Sequence, residues 1–176
     1  EYFTSNIPEH IKAIINERSC GYPCELGYAP QHWGLIDELK SDGYTQEQMI
    51  NASLAVLDAR GNLYPRLRDR ITIPLFDNRQ SRILGFAGRA LTDDTKTKYL
   101  LPSTTKAFCK KNYLYGHIER NPPFVTIVEG YFDSIRLSSL GFPNVVAVLC
   151  ASISDAQVRI IESYTDKVVV MMDGDF

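Results

Sequence analysis

Residues 124–175 read FVTIVEGYFDSIRLSSLGFPNVVAVLCASISDAQVRIIESYTDKVVVMMDGD, and their alternation sets the fold class. Phe124 to Val128 is predicted as a strand and Tyr131 to Leu140 as a helix stopped by Gly141. Asn144 to Leu149 is a second strand, and Ser154 caps a helix with Gln157 at its third position. Lys167 to Met172 is a third strand. Strand–helix–strand–helix–strand with short links means a parallel sheet with right-handed crossovers. In such sheets, ligands gather at the carboxyl ends of the strands. Glu129 follows the first strand and Asp173-Gly174-Asp175 follows the third. Asp133 lies one helical turn beyond Glu129, and Gly130 lets the chain turn between them. A lone Asp-Gly-Asp after a strand is more often a turn. Two acidic clusters on two strand ends of one sheet favour a divalent cation, since crowded carboxylates repel unless neutralised. Hard oxygen donors suit Mg²⁺ or Mn²⁺, which points to metal-assisted phosphoryl or nucleotidyl transfer.

Upstream, Asn121-Pro122-Pro123 reads as a linker, because the residue before a proline leaves the helical region and two prolines stop a pairing ladder. The predicted division is therefore residues 1–122 and 123–176. The first third reads as helical, with starts at Pro8, after Pro30 and at Thr45. The second of these helices would align Trp33, Ile36 and Leu39 and stop at Gly43. Two strands follow, from Ile71 to Phe76 and from Arg82 to Phe86, joined by the polar turn Asp77-Asn78-Arg79-Gln80. Pro74 is expected to put the first at a sheet edge or bulge.

The net charge of −2 hides a strong asymmetry. Residues 1–59 hold 3 Lys/Arg against 9 Asp/Glu, residues 60–120 hold 13 against 5, and residues 121–176 hold 3 against 7. A basic centre beside an acidic end suggests a polyanion grip next to a cation site. Arg66, Arg68 and Arg70 recur at period two and would share one face if extended. Arg89, Lys98, Tyr99 and Lys110 follow; arginines suit phosphates, and an aromatic among lysines suits stacking on unpaired bases.

The 176 residues, 44% hydrophobic and 23% charged, describe a globular chain. With no apolar run of bilayer length and no signal segment, a cytoplasmic protein without membrane contact is expected. The opening at Glu1 and the stop at Phe176 suggest a fragment. Phosphate-loop, nucleophile-elbow and His-Glu-x-x-His patterns are absent. His10, His32 and His117 fit no zinc spacing, Cys20 and Cys24 lack a second ligand pair, and Cys109 and Cys150 read as ordinary thiols.

In order along the chain, these residues resemble the catalytic core of bacterial DnaG-type DNA primases with their Toprim metal domain. The similar segments are Leu26-Gly27-Tyr28-Ala29-Pro30 with Trp33, Arg66-Leu67-Arg68-Asp69-Arg70-Ile71 with Pro74, and Ile83-Leu84-Gly85-Phe86-Ala87-Gly88-Arg89. Lys98-Tyr99-Leu100, Phe108-Cys109-Lys110 and Leu114-Tyr115-Gly116 come next, then Glu129-Gly130-Tyr131-Phe132-Asp133 and Asp173-Gly174-Asp175. The resemblance implies an α/β fold: an α+β amino-terminal lobe followed by a truncated Toprim, Rossmann-like parallel sheet. It implies synthesis of short RNA primers from ribonucleoside triphosphates on a single-stranded DNA template. Asp173, Asp175 and Glu129 would hold Mg²⁺ or Mn²⁺. Glu129 would be the acid/base or metal-linked carboxylate, with Asp133 supporting it. Arg66, Arg68, Arg70, Arg89, Lys98, Tyr99, Lys110 and Gly130 would meet nucleic acid or nucleotide. Zinc belongs to a separate module, and the replicative helicase to regions outside this chain. The family's Asn-Ser-Pro-Glu is replaced by Leu101-Pro102-Ser103-Thr104, and its Leu-Gly-Thr by Leu149-Cys150-Ala151. Another Toprim enzyme (topoisomerase or nuclease) and an inactive single-stranded DNA-binding module are the alternative readings.

Overall fold

The computed structural model describes residues 8–19, 26–31, 34–77, 82–92 and 96–174. Trp33, Asn78, Arg79, Gln80 and Asp175, with His32, Cys20 and Cys24, lie outside the described residues. The chain divides into two compact units: residues 1–15, 25–75 and 83–108, and residues 16–24, 76–82 and 109–176.

Helix α1 (Glu9–Ser19), of which residues 9–15 belong to the first unit, begins just after Pro8, whose carbonyl accepts from the Ile11 and Lys12 amides. Strand β1 (Gly27–Ala29) precedes α2 (Leu35–Ser41) and α3 (Gln46–Asn51). The reciprocal cap foreseen at Thr45 is present: the Gln48 amide donates to Thr45 Oγ1 at 3.2 Å, and the Thr45 amide donates to Gln48 Oε1 at 2.8 Å. Ile36, Met49 and Ala55 form the core beneath these helices, with Leu39 and Leu63 against it.

Strands β2 (Ala55–Leu57) and β3 (Leu63–Pro65) form an antiparallel ribbon that pairs Val56 with Tyr64. Its turn is tied by Asp58, whose carboxylate accepts from the Arg60 and Asn62 amides and from Asn62 Nδ2. The Asn62 bonds hold that carboxyl below its ordinary pKa.

Strands β4 (Arg70–Phe76), β5 (Ile83–Ala90) and β6 (Tyr99–Leu100) join β1 in the order β1-β4-β5-β6. The strand carrying Pro74 is therefore internal rather than an edge, and Ile71, Ile73 and Leu75 are fully buried. Pro74 lies beyond the stretch of β4, Arg70 to Thr72, that pairs with β1, so its missing N–H costs no bond within that pairing.

The second unit holds the short 3₁₀ turn Lys110–Asn112, then β7 (Tyr115–Gly116), β8 (Val125–Val128), α4 (Tyr131–Ser139), β9 (Val145–Ala147), α5 (Asp155–Glu162) and β10 (Val168–Met171). The sheet order is β10-β8-β9-β7. Both β9 and β10 run parallel to β8, as the alternation predicts. The edge strand β7 is antiparallel, so the sheet is mixed rather than purely parallel. It comes from before the Asn121-Pro122-Pro123 segment, and the long carboxyl-terminal stretch of this compact unit accordingly runs from Cys109.

Val125 and Ile127 face Ile161 of α5, while Val128, Val145 and Ala147 face Leu137 of α4, so the helices cover opposite faces. Buried Gln157 fastens α5 to the sheet. Its Nε2 donates to the Tyr113 and Val148 carbonyls at 2.8 and 3.0 Å, and its Oε1 accepts from the Ser154 amide. No described helix is long and apolar enough to cross a membrane.

Gly116 makes the antiparallel edge possible. Its φ is +119°, and a Cβ there would collide with the backbone carbonyl of Val145 on β9. Gly116→Ala should lower stability by about 1–3 kcal/mol in urea unfolding. Gly34→Ala, where a Cβ meets nothing within 4 Å, should stay within about 0.5 kcal/mol of the parent.

Candidate functional site

The first unit assembles six of the foreseen contact residues around the start of β4. Arg66, Arg68 and Arg70 all line one cavity of about 410 Å³. Simple extended alternation does not place them there. Residues 66–69 are not in a strand, and Asp69 adopts a left-handed φ of +52°. Each guanidinium is instead fixed separately. Arg66 Nη2 donates to the Leu101 carbonyl at 2.8 Å, and Arg68 lies over the Tyr64 ring at 4.6 Å. Arg70 Nη1 donates to the Lys98 carbonyl at 3.2 Å.

Arg89, only 6% exposed, sits over the Tyr99 ring at 5.0 Å, and the β5–β6 register puts these two residues opposite each other. Burial, and then the like charge of Arg89, lower the Arg70 pKa, with Asp69 opposing. A bound anion would relieve the repulsion between these like charges. Gly88 lets Arg70 lie across β5, since a Cβ there would stand 2.9 Å from Arg70 Cδ and 2.7 Å from Leu67 Cδ2.

Asp69, the acid between two arginines, is engaged by Tyr28, whose hydroxyl donates to Asp69 Oδ1 at 2.7 Å. Tyr28, from the Leu-Gly-Tyr-Ala-Pro segment, thus has a local role that composition could not reveal. Tyr64 was likewise missed. Its signal was proximity in sequence to the arginine run, but a ring two residues before Arg66 looks like ordinary ribbon packing.

Lys110 belongs to the second unit, half-buried in the turn after Cys109. There, the parallel register pairs Val128 with Met171, so β8 and β10 end side by side. Glu129 leaves β8 half-buried, and its carbonyl accepts from the Leu149 amide. Asp173 is exposed two residues beyond β10. Asp133 Oδ2 accepts from the Gly130 amide at 2.9 Å, closing the first turn of α4. A Cβ on Gly130 would fall 2.6 Å from that oxygen, so the glycine admits the bond.

The foreseen first and third strands are neighbours, which brings the Glu129 and Asp173 backbones to one sheet edge. Among the described residues no cluster of three His, Cys, Asp or Glu side chains is formed, and Asp175 lies outside them. Carboxylates are the donors that suit a hard divalent cation, which takes few protein ligands and completes its shell from solvent and phosphates.

A profile described as the DNA primase catalytic core, N-terminal domain, matches residues 14–121, and a Toprim domain profile matches residues 124–176. The chain belongs to the DNA primase catalytic core family. The DNA primase of Clostridium acetobutylicum is 40% identical over 155 residues, 85% of this chain and 26% of that protein. The Escherichia coli DNA primase is 32% identical over 156 residues, again 85% of this chain and 26% of the relative. This primase core thus spans about a quarter of the length of the curated relatives it matches.

Among solved structures, the zinc-binding and RNA polymerase domains of Aquifex aeolicus primase superpose with a TM-score of 0.83 at 30% identity, covering 96% of this chain and 44% of that one. A DnaG primase catalytic domain bound to single-stranded DNA gives 0.81 at 30% identity, covering 97% and 58%.

Burial and the Asp69 bond push the Tyr28 phenol up to about 12. Its folded-state value thus exceeds the ordinary 10.0, so the stability it contributes is complete below pH 10 and is lost as pH rises from about 10 to about 12. In a ¹³Cζ tyrosine titration, Tyr28 should still be a phenol at about pH 11, where an unperturbed tyrosine is ionised. Ionisation of Tyr28 near pH 10 would contradict the bond to Asp69.

Proposed function

We propose that this chain is the catalytic part of a DNA-directed RNA polymerase of the primase type, which makes short RNA primers from ribonucleoside triphosphates on single-stranded DNA. The observation that carries this reading is the parallel pairing of β8 with β10, with a carboxylate within two residues of the end of each strand, in a chain of the primase family. We take residues 1–122 as the lobe that grips nucleic acid and residues 123–176 as the Toprim part.

Glu129, Asp173 and Asp175 would hold Mg²⁺ or Mn²⁺. Such an ion, when bound, supplies charge neutralisation of the phosphates and orients the groups that react. Glu129 serves as the acid/base or metal-linked carboxylate. Asp133 supports it as a positioning residue, by fixing the Glu129–Gly130 turn through the Gly130 amide. Gly130 then meets nucleotide through its backbone, because the space a side chain would take is filled by Asp133.

Arg66, Arg68, Arg70, Arg89, Lys98 and Tyr99 bind phosphates and bases of template or incoming nucleotide, and Lys110 does so from the second unit. Held arginines act here by binding and orientation, which converts an encounter into a positioned reaction. The replicative helicase and any zinc module would act through other parts of a longer protein in the cytoplasm.

The test is labelled ribonucleotide incorporation on single-stranded DNA with Mg²⁺ or Mn²⁺. RNA products that need the metal and fall at least about 100-fold in Glu129→Gln are expected. Single-stranded DNA binding with neither product nor metal requirement, in this chain and in a longer parent chain, would favour a binding module instead.

A further inference from the structure

The cavity beneath the arginine run is more than a basic surface. Three of its walls are Arg66, Arg68 and Arg70, a fourth is the ring of Tyr64, and Gln31 adds an exposed amide at its rim. Val56 and Leu100 close it with apolar surface. Its volume of about 410 Å³ falls in the range of small-ligand sites and matches one nucleotide rather than a helix of nucleic acid.

Two features ask for a ligand. Arg66 holds its Nη2 on the Leu101 carbonyl, while its Nε–H is buried without an acceptor. Arg68 has one guanidinium face covered by Tyr64 and, among the described residues, no carboxylate within ion-pair distance. A guanidinium flattened against a ring presents its other face as a platform on which a nucleobase stacks.

We propose that this cavity is a single-nucleotide pocket for the unpaired strand. The base stacks on the Arg68–Tyr64 pair, Gln31 meets the base edge, and Arg66 with Arg70 takes the adjoining phosphate. Tyr64 and Gln31 are thereby binding residues. The ligand is a nucleotide of the strand rather than a free triphosphate, because among the described residues the lining carries no carboxylate that could share a triphosphate's divalent ion. A duplex is refused because its bases already stack on each other and show only their edges. This inference rests on the primase reading for the presence of single-stranded DNA and adds the position and chemistry of one contact.

The experiment is fluorescence anisotropy of the 176-residue chain with a fluorescein-labelled single strand of about 12 nucleotides, with the same strand annealed to its complement, and with unlabelled GTP as competitor. Tyr64→Leu should weaken single-strand binding about 5- to 20-fold with the salt slope unchanged, since stacking but no phosphate contact is lost. Tyr64→Phe should restore it to within about twofold. Gln31→Ala, at an exposed position outside the strands, should weaken it about 2- to 5-fold and covers the case in which Tyr64→Leu disturbs the ribbon. Arg66→Gln should reduce the salt slope by about 0.7.

Equal losses for strand and duplex, no loss with Tyr64→Leu or Gln31→Ala, or GTP competition that depends on Tyr64 would each overturn the pocket while leaving primer synthesis untouched. A parent chain that binds no single strand would overturn the pocket and the primase reading together.

Discussion

Four paired residues between β8 and β10 set the chemistry of the second unit. Because Val125 to Val128 pair in parallel with Val168 to Met171, both strands finish at the same edge. The carboxylates that follow them then need no long loop to approach each other. A shift of one residue would turn each side chain of β10 to the other face, and an antiparallel β10 would send Asp173 to the opposite end of the sheet. The side crossover through α5 makes the parallel pairing possible, and Gln157, satisfied on both sides of its amide, locks that helix to the sheet. By contrast, β10 itself packs little: Val168 to Met171 are each 44–61% exposed, since α4 and α5 cover β8 and β9. Its place therefore rests on backbone pairing more than on side-chain burial.

The first unit solves a different problem, that of holding several like charges together. Arg66 and Arg70 rest on backbone carbonyls, and Arg68 and Arg89 lie over aromatic rings. Carbonyls and rings orient a guanidinium while leaving its net charge available to an outside anion. Asp69, the acid closest in sequence, is engaged by the Tyr28 hydroxyl. Gly88 provides the space across β5.

Much of this is readable in the residues, and the exceptions have physical causes. Alternation of Val, Ile and Leu with capped helices revealed the β8–α4–β9–α5–β10 order, because short links and strict caps leave few other arrangements. The two-residue strand β7 was invisible as such: Tyr115 and Gly116 carry no periodicity, and only the close approach to Val145 explains the glycine. Pro74 suggested an edge; β4 lies between β1 and β5, but the proline falls beyond the residues that pair with β1. The arginine run was legible as a shared binding face but not its geometry, since the left-handed Asp69 breaks the alternation that suggested it. Asp133 was legible as an acid near Glu129. Its bond to the Gly130 amide depends on backbone placement that composition does not encode.

The central claim is that Glu129 and Asp173 serve one divalent cation at one sheet edge. Titration of the ¹⁵N-labelled chain with Mn²⁺, read as paramagnetic broadening of amide resonances, tests it most directly. Amides of Glu129 and Gly130 and of residues 172–174 should broaden together over one range of metal concentration, and Asp173→Asn should weaken the effect at both strand ends. Broadening confined to one end, or at two separate metal concentrations, would contradict a shared site.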